Sequence, residues 1–185
     1  MIIIMNIIFW GILLIVVIYI VKIYNNLVVL SNNLKKSWAN INVILKQRYD
    51  EIPKLVKTIK GYLKYERGTI VDVIKARGSC IKAGSVEEQG RAENMLTGAL
   101  GKLFALSEKY PELKANEDFI HLQNRITMLE SQIADRREFY NDSVNVYNIK
   151  IHQLPEALIA SFLGYRDEEM FRISARERRD VKIEF

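Results

Sequence analysis

Two histidines, one cysteine and scattered carboxylates are the residues from which this chain would have to build a reactive centre. Asp118-x-x-His121 has the i, i+3 spacing that sets two metal ligands on one helix face, with Glu117 four residues before His121. A di-iron centre in a helical bundle draws on two Glu-x-x-His motifs and further glutamates. Here the first motif is an aspartate variant and the second is missing, so these residues read as surface polar groups and no metal is expected. Cys80 has no His, Asn or Asp at a motif spacing, and one cysteine makes neither an intramolecular disulfide nor a multi-cysteine metal site. There is no Gly-x-Ser-x-Gly elbow and no phosphate-cradling glycine loop; Ala99-Leu100-Gly101-Lys102 lies inside a helical pattern. The expectation is a protein that is not an enzyme and takes no cofactor.

Charges on apolar helix faces carry more information. Leu27, Ser31, Leu34, Trp38, Ile41, Leu45, Arg48 and Ile52 recur at 4-3-4-3 spacing, which makes one helix face a coiled-coil-like seam. Arg48 occupies a seam position, and Glu66, Arg77, Glu130 and Arg137 lie at or beside seams. Such charges in a bundle must pair or face water. They read as a structural polar network, Arg48, Glu66, Arg77, Glu130 and Arg137, that sets helix register. A binding pocket built from the same residues is the sharper alternative. Lys57, Lys60, Lys64 and Arg67 form a basic stripe at 3-4-3 spacing away from the seam. The stripe reads as a solvated face, or as a face for anionic lipid or an acidic partner. Tyr62 and Tyr65 make no stacking platform, so no nucleic acid is expected. Residues 35–82 hold twelve Lys/Arg against four Asp/Glu, so the basic character belongs to this segment.

Long helices must position these residues. Three prolines and nine glycines in 185 residues are too few for the regular turns of an all-β chain. Ile2 to Val21 is apolar apart from Asn6 and Gly11. As a helix it covers about 30 Å, the thickness of a bilayer's hydrocarbon. No Lys or Arg precedes it and bulky Tyr19, Ile20 and Val21 close it, which fits a retained anchor better than a cleaved signal. Lys22, Lys35 and Lys36 on its C-terminal flank put the N-terminus outside and the rest in the cytoplasm by the positive-inside rule. The apolar face continues past Pro53 through Val56, Ile59, Leu63, Ile70 and Val73, predicting one long helix that kinks at Pro53 and stops near Gly78 to Gly84. Ser85-Val-Glu-Glu88 has capping-box form and opens a second helix, about Val86 to Tyr110. Leu96, Ala99, Leu103 and Leu106 face inward on it, and Gly98 and Gly101 are expected to admit a neighbouring backbone. Asn116 is the expected N-cap of a third helix with heptads at Phe119, Ile126, Ile133, Tyr140 and Tyr147. Pro155 begins a short fourth helix, Glu156 to Gly164, and Val181 to Phe185 close a frayed tail.

The fold class is therefore all-α: a single N-terminal transmembrane helix, then an antiparallel three- to four-helix bundle with a long, kinked first helix. The expected divisions are 1–22 for the anchor, 23–165 for the bundle and 166–185 for the tail.

Several of these residues also form a pattern. Arg48-Tyr49-Asp50-x-Ile52-Pro53-x-Leu55-Val56 is followed by Lys60-Gly61-Tyr62. Gly98-Ala99-Leu100-Gly101-x-Leu103-Phe104-Ala105-Leu106, Tyr110-Pro111-x-Leu113-Lys114-Ala115-Asn116-x-x-Phe119 and Arg136-Arg137-x-x-Tyr140-Asn141 come later. In these blocks the chain resembles the LemA family of bacterial membrane-anchored helical proteins, from about Tyr24 to Gly164. Glu51 and Lys54 depart from the aliphatic residue and the Asn that the pattern carries there. The resemblance implies a helical fold, one membrane span and a bacterial envelope setting, and brings no catalytic site. It implies neighbours such as membrane proteases and, in one branch, magnetosome membrane biogenesis.

The expected function is a non-enzymatic, membrane-anchored scaffold or interaction protein of the bacterial plasma (inner) membrane. It would act as a homo-oligomer or on a membrane-protein partner, a membrane protease among the candidates, with the lipid bilayer as its setting. The alternative is a membrane-surface module that binds anionic lipid through Lys57, Lys60, Lys64 and Arg67 to tether or shape membranes.

Overall fold

A computed structural model describes residues 1–63 and 65–172. Lys64 and the tail from 173, including Val181 to Phe185, lie outside the described residues. Among the described residues there are six helices and no strand: α1 (Ile2–Ile59), α2 (Arg67–Lys82), α3 (Val86–Ser107), α4 (Pro111–Lys114), α5 (Glu117–His152) and α6 (Glu156–Phe162). The all-α expectation holds, with a long N-terminal apolar helix followed by a helical bundle.

The chain divides into two compact units, residues 1–38 with 139–168, and residues 39–138 with 169 onward. In the first unit Ile23, Leu27, Tyr147, Ile151 and Ala160 form a buried cluster, with Leu30, Ile159 and Tyr165 packed against it. Trp38 leans on Tyr140 at 5.2 Å between ring centroids. Asn148 closes a two-bond clasp with the backbone of Glu168: its side chain accepts from the Glu168 N–H (2.9 Å) and donates to the Glu168 carbonyl (3.0 Å). In the second unit the expected seam is buried at Ile41, Leu45, Arg48, Ile52 and Ile59, and the α5 heptad at Phe119, Ile126 and Ile133. The helix starts follow their caps. The Ser85 hydroxyl accepts from the Glu88 N–H (3.1 Å) while the Glu88 carboxylate accepts from the Gly84 N–H (2.9 Å). Asn116 accepts from the Phe119 N–H (2.9 Å).

The long first helix is shorter than the periodicity predicts. It runs through Pro53 but ends at Ile59, and the apolar pattern resumes on a separate helix, α2. Both the Tyr62 and Leu63 N–H groups turn back onto the Ile59 carbonyl (3.0 Å each), and Leu63 is buried in the turn. Gly61 and Gly68 bracket the break, each worth about 1 kcal/mol against a continuous helix relative to Ala. A second correction concerns Gly98 and Gly101. Among the described residues a Cβ at either would meet nothing within 4 Å, so no described backbone approaches them. One does approach Gly90: a Cβ there would come within 2.5 Å of the Arg172 carbonyl, with the Phe171 ring at 3.5 Å. No side chain larger than hydrogen fits while residues 171–172 lie across it.

How α1 passes Pro53 has a local explanation. Proline lacks the N–H that would bond the carbonyl four residues back, that of Tyr49. The Arg77 Nε of α2 donates to the Tyr49 carbonyl instead, at 2.8 Å. The fold-back at Ile59 thus brings a donor to the carbonyl that the proline orphans. Arg77→Ala should cost about 1–3 kcal/mol in urea unfolding, the range for leaving a buried acceptor unsatisfied. In a Pro53→Ala background, where the backbone N–H returns, the same substitution should cost clearly less. Equal costs in both backgrounds would show that Arg77 acts some other way.

Candidate functional site

The buried polar centre of the second unit is assembled from three helices. Arg48 on α1 is 2% exposed and is the largest fully buried side chain. Its guanidinium pairs with Glu93 on α3, itself buried, and donates to Glu130 on α5 and to the Thr97 hydroxyl, both at 3.2 Å. The neighbouring Tyr49 hydroxyl donates to the Glu93 carboxylate and accepts from the Gln89 amide at 2.6 Å. Gln89 also donates to Glu93 at 2.9 Å. Cys80 on α2 is buried as a free thiol near Tyr49. Of the polar side-chain atoms in this cluster only Arg48 Nε is buried without a partner.

Burial governs the ionisation of the cluster. It holds the Arg48 guanidinium below its usual range, the nearby Glu130 carboxylate acting in the opposite sense. It pushes the Tyr49 hydroxyl well above its usual range, with Cys80 adding to the rise and Arg48 opposing it. The Cys80 thiol is also pushed up by burial, with Arg48 opposing. A thiol so protected is a poor nucleophile at neutral pH, since the thiolate is the reactive form.

Of the five residues expected to form a network, Arg48 and Glu130 are brought together. Arg77 is half-buried and turned onto the Tyr49 carbonyl. Glu66 precedes α2, half-buried, and makes no capping hydrogen bond there. Arg137 lines a groove of about 230 Å³ that opens on the cluster itself, sharing it with Arg48, Glu93 and Glu130 as well as Asn94 and Phe171. The partners missing from the expectation are Glu93, Gln89, Thr97 and Tyr49. A signal was present: Gln89, Glu93 and Thr97 recur every fourth residue, a polar column along α3. A larger, open depression of about 830 Å³ between Gly61, Tyr62 and Tyr110 to Glu112 lies away from the cluster.

The basic stripe is divided by the helix break. Lys57 is in the last turn of α1, Lys60 just beyond it and Arg67 at the start of α2, all exposed; Lys64 is outside the described residues. Lys57 and Arg67 are therefore on different helices, with Lys60 in the turn between them. His121 and His152 are exposed and far apart in the chain, and His152 pairs with Asp167 at 2.8 Å. Among the described residues no group of three or more His, Cys, Asp or Glu is placed to hold a metal.

The pattern of the LemA family matches residues 37–185, which include the whole of this cluster. The chain belongs to the LemA family. Among its relatives is Magnetosome protein MamQ 2 of Paramagnetospirillum magneticum, 25% identical over 175 residues, with 80% of this chain and 64% of the relative covered. Magnetosome protein MamQ of Magnetospirillum gryphiswaldense is 25% identical over 174 residues, with the same coverage. Protein LemA of Metamycoplasma hominis is 26% identical over 155 residues, covering 81% of this chain and 69% of the relative. The chain thus spans somewhat less than two thirds of the magnetosome relatives. The family and its named relatives are not enzymatic by name, and they accord with a membrane-associated protein.

The cluster makes two measurable demands. Arg48→Met should destabilise the full chain by about 3–5 kcal/mol in urea unfolding, because Glu93 is left buried without its cation. Adding Glu93→Leu and Tyr49→Phe should recover most of that loss; no recovery would show that packing, not charge, sets the cost. The pH profile is the second demand. Cys80 and Tyr49 have folded pKa values raised above their ordinary 9.0 and 10.0. Their contribution is therefore complete below pH 9.0 and is lost as pH rises through the raised values. The urea midpoint should fall as pH climbs above that point, and Cys80→Ala with Tyr49→Phe should flatten the fall.

Proposed function

We propose that this chain is a non-enzymatic, membrane-anchored scaffold or interaction protein, acting through self-association or on a membrane-protein partner. The observation that carries this reading is the continuity of α1. One helix, Ile2–Ile59, includes both an apolar run that buries nothing and the residues that found the bundle. From Ile2 to Val21 every large apolar side chain is exposed. Among the described residues this is the one helix long and apolar enough to cross a membrane, and with its relatives it fits a single-pass membrane protein.

The buried cluster supports a structural role for Arg48, Glu130 and Arg77, with Glu66 and Arg137 at its margin. Its charged groups are already answered by one another, which leaves little to offer a reaction. Lys22, Lys35 and Lys36 support an N-terminus outside and a bundle in the cytoplasm of a bacterial plasma membrane. Residues 1–22, 23–165 and 166–185 are the corresponding anchor, bundle and tail. Relatives that carry the name magnetosome protein support work at a membrane, and a membrane protease is one partner of the proposed kind. The lipid-binding alternative would now need Lys57, Lys60 and Arg67 to act from separate elements.

Cross-linking the full chain in native membranes tests the proposal. Covalent species larger than the monomer, containing a second copy or a membrane protein, are expected. Recovery of monomer alone would overturn the scaffold reading. Salt-sensitive cross-linking to anionic photoactivatable lipid, with no protein adduct, would replace it with the lipid-binding one.

A further inference from the structure

α6 leaves an apolar face in the open. Leu158 and Phe162 stand four residues apart on α6 and are 70% and 91% exposed; Leu154, in the turn before the helix, is 72% exposed and Leu163, just past its end, 42%. On a helix Leu158 and Phe162 at this spacing share one face. From Ala157 to Tyr165 the chain carries no charged side chain. The acid that opens the helix, Glu156, is buried and tied to Lys150, and that ion pair holds its carboxyl below the usual range. The outward stripe is therefore uncharged as well as exposed. A stripe of this kind held in water is costly and marks a contact surface.

Its place in the first unit identifies the occupant. The opposite side of α6, through Ala160 and Ile159, belongs to the cluster built on Ile23, Leu27 and Leu30 of α1. Ile23 lies two residues beyond Val21, the end of the exposed apolar run, and Leu30 lies nine beyond it. At about 1.5 Å per residue these are roughly 3 Å and 14 Å along the helix. The headgroup layer is about 5–8 Å thick on each side of the hydrocarbon. The α1 segment that receives α6 therefore begins inside that layer. A helix whose outward face is apolar can lie in the interface with that face toward the acyl chains.

We propose that α6 is a second membrane contact: it lies at the bilayer interface and sets Leu158 and Phe162 against lipid beside the anchor. The proposal goes beyond the scaffold reading and rests only on α1 crossing a membrane. It makes the membrane end of the bundle a two-point attachment, which restricts rotation about the anchor.

The test uses the full chain in phosphatidylcholine–phosphatidylglycerol vesicles, in a Cys80→Ala background first shown to be helical by circular dichroism. An environment-sensitive fluorophore is attached in turn at Leu158→Cys, Phe162→Cys, Leu14→Cys in the anchor and Lys36→Cys, about 22 Å along α1 past Val21. Emission at 158 and 162 should shift to the blue, lose most of its intensity to nitroxide-bearing lipid and resist aqueous iodide. Lys36→Cys should show the reverse. Iodide quenching at 158 and 162 equal to that at 36 would overturn the proposal. So would protection from both quenchers, the signature of a protein covering the stripe. Lipid quenching at Leu14→Cys with none at 158 or 162 sinks this inference alone, whereas none at Leu14→Cys removes the membrane span itself.

Discussion

A guanidinium buried to 2% exposure is the constraint on which the second unit depends. Taking such a charge out of water costs several kcal/mol unless opposite charge and hydrogen bonds answer it. Arg48 is answered from two other helices, by Glu93 and Thr97 on α3 and by Glu130 on α5. A shift of either helix by one turn, about 5.4 Å, would carry its carboxylate out of reach. Apolar seams tolerate such slips because one leucine resembles the next. The charged centre does not, because its carboxylates must meet one guanidinium. Its contribution to net stability need not be large for this role.

The same neighbourhood settles how α1 ends. Pro53 would leave the Tyr49 carbonyl without its helical donor, and Arg77 provides one only because α2 folds back on α1. Tyr49 is thus held at both ends, its carbonyl by α2 and its hydroxyl by Glu93 and Gln89 on α3. One residue couples the proline, the fold-back and the charged centre. Such networks are cooperative, and the loss of one member leaves buried groups unanswered elsewhere.

Periodic features were legible in the sequence and partner choices were not. The α5 heptad, the Ser85 and Asn116 caps and the apolar run from Ile2 to Val21 each repeat or cluster strongly enough to survive any tertiary context. The break after Ile59 was hidden for a specific reason. Ile59, Leu63, Ile70 and Val73 are buried whether the chain continues as one helix or turns back. Spacing alone cannot separate the two outcomes. Glu93 was obscured because α3 begins with Glu87 and Glu88, so one more glutamate looks like solvent-facing charge. Only its four-residue spacing from Gln89 and Thr97 set it apart. Nothing in the sequence separates Gly90 from Gly98 and Gly101, since which glycine a distant backbone crosses depends on where residues 171–172 return.

Function in this family then has to be sought where the chain is unsatisfied. The charged centre is nearly closed on itself: Tyr49, Gln89, Glu93 and Glu130 all have partners, and burial pushes the nearby thiol's pKa up. Catalysis needs a group poised to exchange a proton or attack a substrate, and burial moves Tyr49 and Cys80 away from that condition. Outside, the balance is reversed. The run from Ile2 to Val21 and the stripe on α6 expose apolar surface that a soluble protein would cover. Both belong to the first unit, where α6 packs on Ile23 and Leu27 at the close of the apolar run. The chemistry of the two units is therefore divided: one buries a paired polar centre, and the other exposes its apolar surface.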